Sequence, residues 1–391
     1  MARNLMDEIK ECQPEIPGLY VSIPFCRGKC RYCAIPTRVT AIPPAERYRD
    51  ALRREAAAAR RPPSSLGSIY FGGGTPLTLS AAVLGRILED MRGIFSFEDG
   101  VEATLEANPG VLIRGDLERL AAAGFNRLSL GVQSLDDEEL SFLGRIHTSD
   151  EAGCAVEWAR SAGFRQAGLD LIYGFPGHTM GRWRRTLDRA LSIEPDHFSI
   201  YAFSREPGTY FDGAVRDGRL GLPGEEALLA MDEAARERLA AAGYEYYEIS
   251  NAARPGAACL HNLRIWRGGD VLGLGAAAHS LVSGWRWRNV ADVDSYMKAV
   301  EETESGAVGT HRVDEEGELL ERLLRGLRLD EGIPLSILPD GDERLAESIR
   351  TLVADEFLEA AGGMIRLGSR GRPVADSVIL EVAAALAPQT G

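Results

Sequence analysis

Cysteine is scarce in this sequence, and long apolar runs are absent. Six cysteines in 391 residues are too few for the disulfide scaffold of a small secreted domain. The most apolar later stretches, residues 272–284 and 377–387, are interrupted by polar or charged side chains before they reach bilayer-spanning length. Residues 1–17 alternate charged and apolar positions and lack the apolar core of a signal peptide. We therefore expect a cytoplasmic protein.

Basic residues are also in the minority. The 44 Lys and Arg residues are outnumbered by 58 Asp and Glu residues, which gives a formal net charge of −14. Since phosphates are held by clustered Lys and Arg, we expect no nucleic-acid partner and no broad membrane-binding surface. Apolar residues make up 45% of the chain, enough to bury a large core. At 391 residues we therefore expect one large α/β domain with an appendage, or two domains.

Short apolar runs alternate with amphipathic stretches through the first half of the chain. The predicted strands cover residues 19–25, 68–71, 101–105, 127–130, 166–173 and 197–202. The predicted helices cover residues 45–60, 80–94, 114–123, 150–162, 180–193 and 223–242, and residues 244–249 follow as a further strand. Such repeated units are typical of a parallel sheet. We predict an α/β fold with a partial (β/α)6 barrel.

Polar residues gather at the carboxyl ends of the predicted strands. The first four strands are followed, in order, by three cysteines, by residues 72–75, by Glu106 and Asn108, and by Gln133 and Ser134. Asp170 lies inside the apolar fifth strand, where a carboxylate needs a reason. Because the loops after the strands converge on one rim of such a fold, we expect these side chains to form one site. Tyr201, at the end of the sixth strand, is expected to pack rather than to react.

The character of the sequence changes after about residue 310. Two predicted helices (314–328 and 343–355), a hairpin around Gly362 and Gly363 and a helix from Asp376 resemble a winged-helix module. From Val313 to the end, 16 acidic and 8 basic residues disfavour DNA binding, so we expect a lid or a partner surface. We predict an N-terminal extension at 1–17, a core domain at 18–250, a connecting segment at 251–310 and a small helical, winged-helix-like domain at 311–391.

The strongest chemical signal is the loop that contains Cys26, Cys30 and Cys33. Three thiolates at Cys-x3-Cys-x2-Cys spacing can bind a [4Fe–4S] cluster and leave one iron open to a small molecule. A structural zinc ion would need a fourth ligand from the distant Cys12, Cys259 or a histidine. Inert buried cysteines are a third interpretation. The spacing favours the cluster.

The cysteine loop, with Tyr32 before its third cysteine, resembles the radical S-adenosylmethionine (SAM) superfamily. Further segments resemble its oxygen-independent coproporphyrinogen III oxidase-like branch: YVSIPFC at 20–26, YFGGGTP at 70–76, EANP at 106–109, RLSLGVQS at 127–134, LGRIH at 143–147 and DLIYGFP at 170–176. Within that branch, YEISN at 247–251, RP at 254–255, CLHNLRIW at 259–266 and LRGLRLDEG at 324–332 are similar to the HemW family of heme chaperones. The resemblance covers almost the whole chain.

This resemblance implies a [4Fe–4S] cluster on the three cysteines, with its open iron chelated by the amino and carboxylate groups of SAM. The residues that it implies for the SAM pocket are Tyr20, Tyr32, Gly73, Gly74, Thr75, Glu106, Gln133, Arg145 and Asp170. The glycines let a ligand approach the backbone, and Glu106 is suited to accept ribose hydroxyls. Arg145 and Asp170 are implied to hold opposite ends of SAM. A phosphate-binding loop at residues 72–75 is disfavoured because it lacks the required lysine.

Heme and heme-accepting proteins are the further ligand and partners that the resemblance implies. A membrane-associated acceptor is compatible with a chain that has no transmembrane segment. His261 is the proposed axial ligand, because imidazole binds heme iron and Leu260 and Trp266 could cover a porphyrin face. Cys259 is a rival ligand. A histidine that hydrogen-bonds a strand end is the structural alternative.

Two departures from the related patterns bear on function. The oxidase has a further cysteine shortly after its triad, whereas Cys33 is followed by Ala34, Ile35, Pro36 and Thr37. Ile35 and Ile265 also replace aromatic residues usual in the chaperones. We expect a heme chaperone of the radical SAM family. The alternatives are a radical SAM enzyme acting on a porphyrin or another substrate, such as a coproporphyrinogen dehydrogenase or a methyltransferase, and an iron–sulfur regulatory or electron-transfer protein.

Overall fold

A computed structural model describes residues 17–59, 64–338 and 343–386 of the chain. Its strands are β1 (Gly18–Ile23), β2 (Phe25–Cys26), β3 (Arg38–Val39), β4 (Leu66–Gly73), β5 (Phe97–Ala107), β6 (Arg127–Gln133), β7 (Gln166–Tyr173), β8 (His197–Ala202), β9 (Glu245–Tyr246), β10 (Asn251–Ala253), β11 (Val271–Leu274), β12 (His279–Val282), β13 (Trp285–Asn289), β14 (Ala307–Arg312), β15 (Ile333–Pro334), β16 (Leu358–Ala361) and β17 (Met364–Leu367). Its helices are α1 (Ala45–Ala58), α2 (Ala81–Ile94), α3 (Arg114–Ala123), α4 (Asp137–Leu143), α5 (Ser149–Ala162), α6 (Met180–Ser192), α7 (Tyr210–Arg216), α8 (Glu225–Ala241), α9 (Leu260–Trp266), α10 (Val293–Thr303), α11 (Glu315–Gly326), α12 (Glu343–Ala354) and α13 (Ala375–Leu386).

Six parallel strands form the centre of a twelve-stranded sheet. Strands β1, β4, β5, β6, β7 and β8 lie side by side in chain order, each parallel to its neighbour. Crossovers that contain helices connect them from β4 onward to β8, as in repeated βα units. The sheet is not closed, because its order runs from β14 at one edge to β9 at the other. The predicted α/β fold with a partial barrel is confirmed.

The segment 251–310 contributes to this sheet. Strand β11 lies parallel to β1, with Gly18 opposite Val271, and β12, β13 and β14 continue the sheet as antiparallel strands. The same segment contains helix α9, which packs against β4 and β1. The predicted domain boundaries stay predictions. Residues 251–310, expected to be a connecting segment, contain strands β10 to β13 of the main sheet and helices α9 and α10.

The two faces of the parallel strands differ in polarity. On β4, Ile69 and Phe71 are fully buried in the large apolar core, and alternation places Ser68 and Tyr70 on the opposite face. Helices such as α2 cover the apolar outer face with several buried side chains. Burying these faces against each other supplies the main stabilisation of the core. The inner face is left for polar side chains.

The C-terminal unit has a separate apolar core. Helices α11, α12 and α13 pack around the three-stranded antiparallel sheet β15-β17-β16. Gly362 and Gly363 both have positive φ, 60° and 79°, as the tight turn between β16 and β17 requires. The predicted small helical, winged-helix-like module is confirmed. Within the three described ranges, no helix has the length and apolar character needed to cross a membrane.

Candidate functional site

The loop that carries the three cysteines is held in place from several directions. Strand β2 pairs with β3 across the loop. The Arg31 N–H donates to the carbonyl of Leu143 at 3.1 Å, and the Arg31 carbonyl accepts from the N–H of Phe211 at 3.2 Å. Inside the loop, the Lys29 ammonium donates to the Ile35 carbonyl at 2.6 Å. These hydrogen bonds hold the loop, and with it the three half-buried thiols, in a fixed position.

All three cysteines line one open cavity of about 390 Å³ at the carboxyl ends of the strands, named here the cysteine cavity. The other predicted site residues that line it are Tyr32, Gly73, Gly74, Thr75, Glu106, Gln133, Arg145 and Asp170. Tyr20 and His261 line a second cavity instead. The structure therefore brings all but two of the predicted site residues together.

The glycine loop leaves space for protein groups as well as for a ligand. A Cβ atom on Gly72 would lie 2.9 Å from the carboxyl carbon of Glu106. A Cβ atom on Gly74 would lie 2.6 Å from the carbonyl oxygen of Phe25, next to the cysteine loop. Gly73 has φ = 103°, a conformation that favours glycine. Glycine is therefore required at the end of β4, where the backbone packs against Glu106 and the cysteine loop.

Glu106 is the last residue but one of strand β5 and is held by two donors. Its carboxylate accepts hydrogen bonds from the Tyr70 hydroxyl at 2.9 Å and from the Gly73 N–H at 3.2 Å. Burial, followed by repulsion from Asp170, raises the pKa of Glu106 to about 7. The ionised carboxylate is a strong acceptor for ligand hydroxyls, and it becomes a weaker acceptor as the pH falls below about 7 and the group takes up a proton.

Asp170 has a clear reason to lie within an apolar strand. The hydroxyl of Ser129, on the neighbouring strand β6, points at its carboxylate, 3.1 Å and 3.2 Å from the two oxygens. Burial raises the pKa of Asp170, and hydrogen bonds from Ser199 and Ser129 oppose that rise. Asp170 therefore presents an acceptor to the cysteine cavity from the inner face of β7.

Gln133 is the last residue of β6, and Arg145 follows the end of helix α4. Gln133 adopts φ = 71°, which a residue with a side chain rarely does and which occurs where the surroundings enforce it. Arg145 places Nη1 3.3 Å from the Cys30 thiol and 3.4 Å from the Tyr32 hydroxyl, and donates to the Gly131 carbonyl. Its Nε is buried without a hydrogen-bond partner in the described part of the chain. Arg145 thus brings positive charge to the cysteine loop.

The donor set suits an iron–sulfur cluster better than a single metal ion. Among the described residues, no three His, Cys, Asp or Glu side chains converge on one point, as a single ion requires. A [4Fe–4S] cluster takes each thiolate on a different iron, so its ligands stand apart. Cys259 is buried elsewhere in the fold, and Cys12 lies outside the described residues.

His261 lies in a second cavity of about 320 Å³, on the inner face of the sheet nearer the amino ends of the strands, named here the histidine cavity. Its side chain is 3% exposed, and Nδ1 lies 2.9 Å from the Ser68 hydroxyl. The ring stacks on Tyr70 at a centroid distance of 5.1 Å. Burial lowers the pKa of His261 to about 3, so the imidazole is neutral. Glu106 and Tyr201 line both cavities.

Helix α9 packs against the amino end of the curved sheet and carries His261. The N–H groups of Leu260 and His261 each donate to the Glu102 carboxylate at 2.9 Å. The Cys259 thiol lies 3.6 Å from the same carboxylate, and burial raises its pKa to about 12. Cys259 is therefore a neutral thiol, packed against the inner face of β5.

Several residues of the site were not found from the sequence. Tyr70 and Glu102 were missed, although alternation along β4 and β5 places them on the inner face with Gly72 and Glu106. Tyr201 differs from its expectation, because it is 43% exposed and lines both cavities. Tyr20 stacks on Tyr70 at 6.1 Å.

Comparison with known proteins agrees with this geometry. The family model of the Radical SAM superfamily matches residues 20–190. The heme chaperone HemW of Mycobacterium tuberculosis (strain ATCC 25618 / H37Rv) is 35% identical over 368 residues, which cover 93% of this chain and 93% of the relative. HemW of Bacillus subtilis (strain 168) is 35% identical and covers 80% of this chain and 84% of its own length. HemW of Escherichia coli (strain K12) is 36% identical over 68% of this chain and 70% of its own.

A solved structure shows the same fold over nearly the full length. Coproporphyrinogen III oxidase (HemN) from Escherichia coli, described as a radical SAM enzyme, superposes with a TM-score of 0.82 over 95% of this chain and 90% of that chain, at 24% sequence identity. The superfamily implies a [4Fe–4S] cluster and SAM, for which the cysteine cavity has the donors described above. The chain therefore belongs to the HemW family of heme chaperones within the radical SAM superfamily.

Proposed function

We propose that this chain binds heme and delivers it to heme-accepting proteins, with a [4Fe–4S] cluster and SAM held in the cysteine cavity. The observation that carries the proposal is similarity to the heme chaperone HemW of Mycobacterium tuberculosis over 93% of the chain. The cysteine cavity supports it independently, because three thiols and two half-buried carboxylates face one space. A protein that only transferred electrons would have no need for those carboxylates.

Cys26, Cys30 and Cys33 are the proposed cluster ligands. When bound, the cluster supplies an open iron for the amino and carboxylate groups of SAM. The Arg145 guanidinium lies beside Cys30, so it marks the cluster end of the cavity and suits the SAM carboxylate. Glu106 and Asp170 lie on the inner face of the sheet and suit hydroxyl or ammonium donors. This gives the pocket two ends of opposite charge, with Gln133, Thr75, Gly73, Gly74 and Tyr32 around them. Tyr20, the remaining residue expected in the pocket, lines the neighbouring histidine cavity.

The affinity for SAM is expected to fall as the pH drops through about 7, where Glu106 takes up a proton. The protonated carboxyl group is a weaker acceptor for ligand hydroxyls, so affinity should decline by at most roughly tenfold per pH unit below that pKa. Calorimetry with SAM on anaerobically reconstituted protein between pH 6 and pH 8.5 measures this. Glu106→Gln should flatten the profile. A flat profile in the unaltered protein contradicts the role of Glu106.

His261 is the proposed axial heme ligand. Its neutral imidazole is suited to bind iron. Aromatic rings near it are suited to contact a porphyrin: those of Tyr20, Tyr70 and, at the cavity wall, Trp266. Because only 3% of the surface of His261 is exposed, at the wall of the histidine cavity, we expect heme binding to be accompanied by a local shift of helix α9. A shift of helix α9 would also disturb a contact with the C-terminal part of the chain, because the Arg328 guanidinium packs over the ring of Trp266, the last residue of α9, at 4.9 Å.

Replacing His261 by Ala is expected to shift the heme absorption spectrum and weaken heme binding, while the iron–sulfur signal stays intact. The iron–sulfur signal should not change because the proposed cluster ligands lie on another loop. Heme titration of anaerobically reconstituted protein, followed by absorbance, measures the effect, and Cys259→Ala tests the rival ligand. Identical heme spectra and affinities in the unaltered protein and His261→Ala would remove His261 from the heme site.

An assay for 5′-deoxyadenosine on the same protein distinguishes the functions. Heme binding without SAM cleavage supports the chaperone. Cleavage coupled to porphyrin decarboxylation or to methyl transfer would instead identify a radical enzyme. A cluster with neither heme binding nor SAM cleavage would favour an iron–sulfur regulatory or electron-transfer protein.

The proposed partners are heme-accepting proteins, and the proposed location is the cytoplasm. The C-terminal unit supports a role in partner contact, because the sequence from Val313 onward carries an excess of acidic residues. An acceptor with a basic surface near its heme pocket would complement that charge.

A further inference from the structure

We infer that His261 and Tyr70 act as positioning residues for Glu106, so that the state of the histidine cavity controls SAM binding in the cysteine cavity. The inference rests on the proposed SAM pocket, and its last step rests on the proposed heme ligand. It assigns a role to Tyr70 and a regulatory link between two cavities that share Glu106 in their walls.

The link is a short chain of direct contacts. The His261 ring stacks on the Tyr70 ring, with centroids 5.1 Å apart and planes at 28°. The Tyr70 hydroxyl donates to Glu106 Oε1 at 2.9 Å, and the other carboxylate oxygen accepts from the Gly73 N–H. Tyr70 therefore supplies one of the two donors that orient Glu106.

His261, at the end of this series of contacts away from Glu106, is held in place by residues of the sheet. Ser68 holds Nδ1 of His261, and Glu102 accepts from the backbone N–H of the same residue. A Cβ atom on Gly18 would lie 2.9 Å from His261 Nδ1, so glycine at the start of β1 provides the space for the imidazole. An imidazole held on three sides leaves Tyr70 little freedom to rotate away from Glu106.

Loss of the Tyr70 hydroxyl changes Glu106 in a defined direction. Burial and Asp170 raise the pKa of Glu106, whereas the bonds from Tyr70 and Gly73 and the nearby Arg127 lower it. Without the tyrosine hydroxyl, Glu106 should take up its proton at higher pH and turn more freely. Both changes weaken an acceptor for ligand hydroxyls.

Heme coordination would involve the His261 side chain that packs on Tyr70. His261 lines the histidine cavity with only 3% of its surface exposed, so coordination to heme iron would draw the ring toward the cavity and loosen its packing on Tyr70. Glu106 then loses its support, and SAM binding weakens. Because coupling between two ligands is reciprocal, SAM should weaken heme binding by the same factor. Such antagonism would favour heme release when SAM is abundant.

The first test is SAM calorimetry on reconstituted Tyr70→Phe, with Tyr244→Phe as the matched control. Tyr244 also loses a buried hydroxyl bond, to the Pro195 carbonyl at 2.6 Å, but lines neither cavity. Tyr70→Phe should bind SAM about 10-fold more weakly, with the midpoint of its pH profile moved to higher pH and its iron content unchanged. Unchanged affinity and unchanged pH midpoint in Tyr70→Phe would overturn the inference.

The second test uses His261→Ala and heme itself. His261→Ala should also weaken SAM binding, although it touches no residue of the cluster loop, and saturating heme should weaken SAM binding in the unaltered protein. Heme uptake without any change in SAM affinity would overturn the coupling and leave the proposed function standing. A chain that takes up no heme would overturn the proposed function instead, and the two variants then decide the positioning role by themselves.

Discussion

Replacing Cys26, Cys30 or Cys33 singly by alanine is expected to abolish the iron–sulfur cluster while the chain stays folded. Three protein ligands are the minimum with which the loop can hold four irons, and two are too few. The fold should survive because the large apolar core lies on the outer side of the sheet and includes none of these thiols. Iron and sulfide content after anaerobic reconstitution, with circular dichroism, measures both expectations.

Cys154→Ala is the matched control for the cysteine variants, because Cys154 is an exposed thiol on α5 and lies outside the cysteine cavity. It should keep the full cluster. A triple variant at Cys26, Cys30 and Cys33 that still holds four irons per chain would end the assignment of the cluster to this loop.

Glu106→Ala and Asp170→Ala are each expected to weaken SAM binding without removing iron, since neither is proposed as a cluster ligand. Loss of a hydrogen bond to a charged group should cost about 1.5–3 kcal/mol, which corresponds to a 10- to 100-fold loss of affinity. Calorimetry on the reconstituted variants measures the change. The effect of Glu106→Ala should exceed that of Tyr70→Phe, because alanine removes the acceptor itself.

Glu118→Ala is a suitable control for the two acidic variants, because its carboxylate lies on α3 and makes an exposed ion pair with Arg114. Exposed pairs of this kind contribute little to stability. If both Glu106→Ala and Asp170→Ala bind SAM as the unaltered protein does, the pocket lies elsewhere.

The parallel strands could be predicted because each contains a continuous apolar run. The ends of the strands were harder to predict. Strand β5 extends from Phe97 to Ala107, although its first part contains the half-buried Glu98 and the exposed Asp99, which argue against a buried strand. The expected strand at 244–249 shortens to Glu245–Tyr246, because Glu248 turns back to accept bonds from Ser250 and Asn251. Apolar patterning cannot report such a local turn.

Strands β11 to β14 escaped prediction for a related reason. They are short, and β13 is half-exposed and rich in Trp and Arg, so they lack the apolar runs of the central strands. The site was predictable where its residues lie at the carboxyl ends of strands, as Glu106 and Gln133 do. The roles of Tyr70 and Glu102 depend on His261 and helix α9, which lie far away in sequence, so no local pattern could reveal them.

The pairing of β1 with β11 has a consequence for how the protein is made. Strand β1 and the cysteine loop leave the ribosome long before Val271–Leu274, which forms one neighbour of β1. Until then the nascent chain carries an unpaired strand edge beside three free thiols, a state prone to aggregation and oxidation. Helix α9, at Leu260–Trp266, is also translated late. Cluster insertion is therefore expected to follow translation of this region, and premature termination before residue 271 should yield a product that is degraded rather than matured.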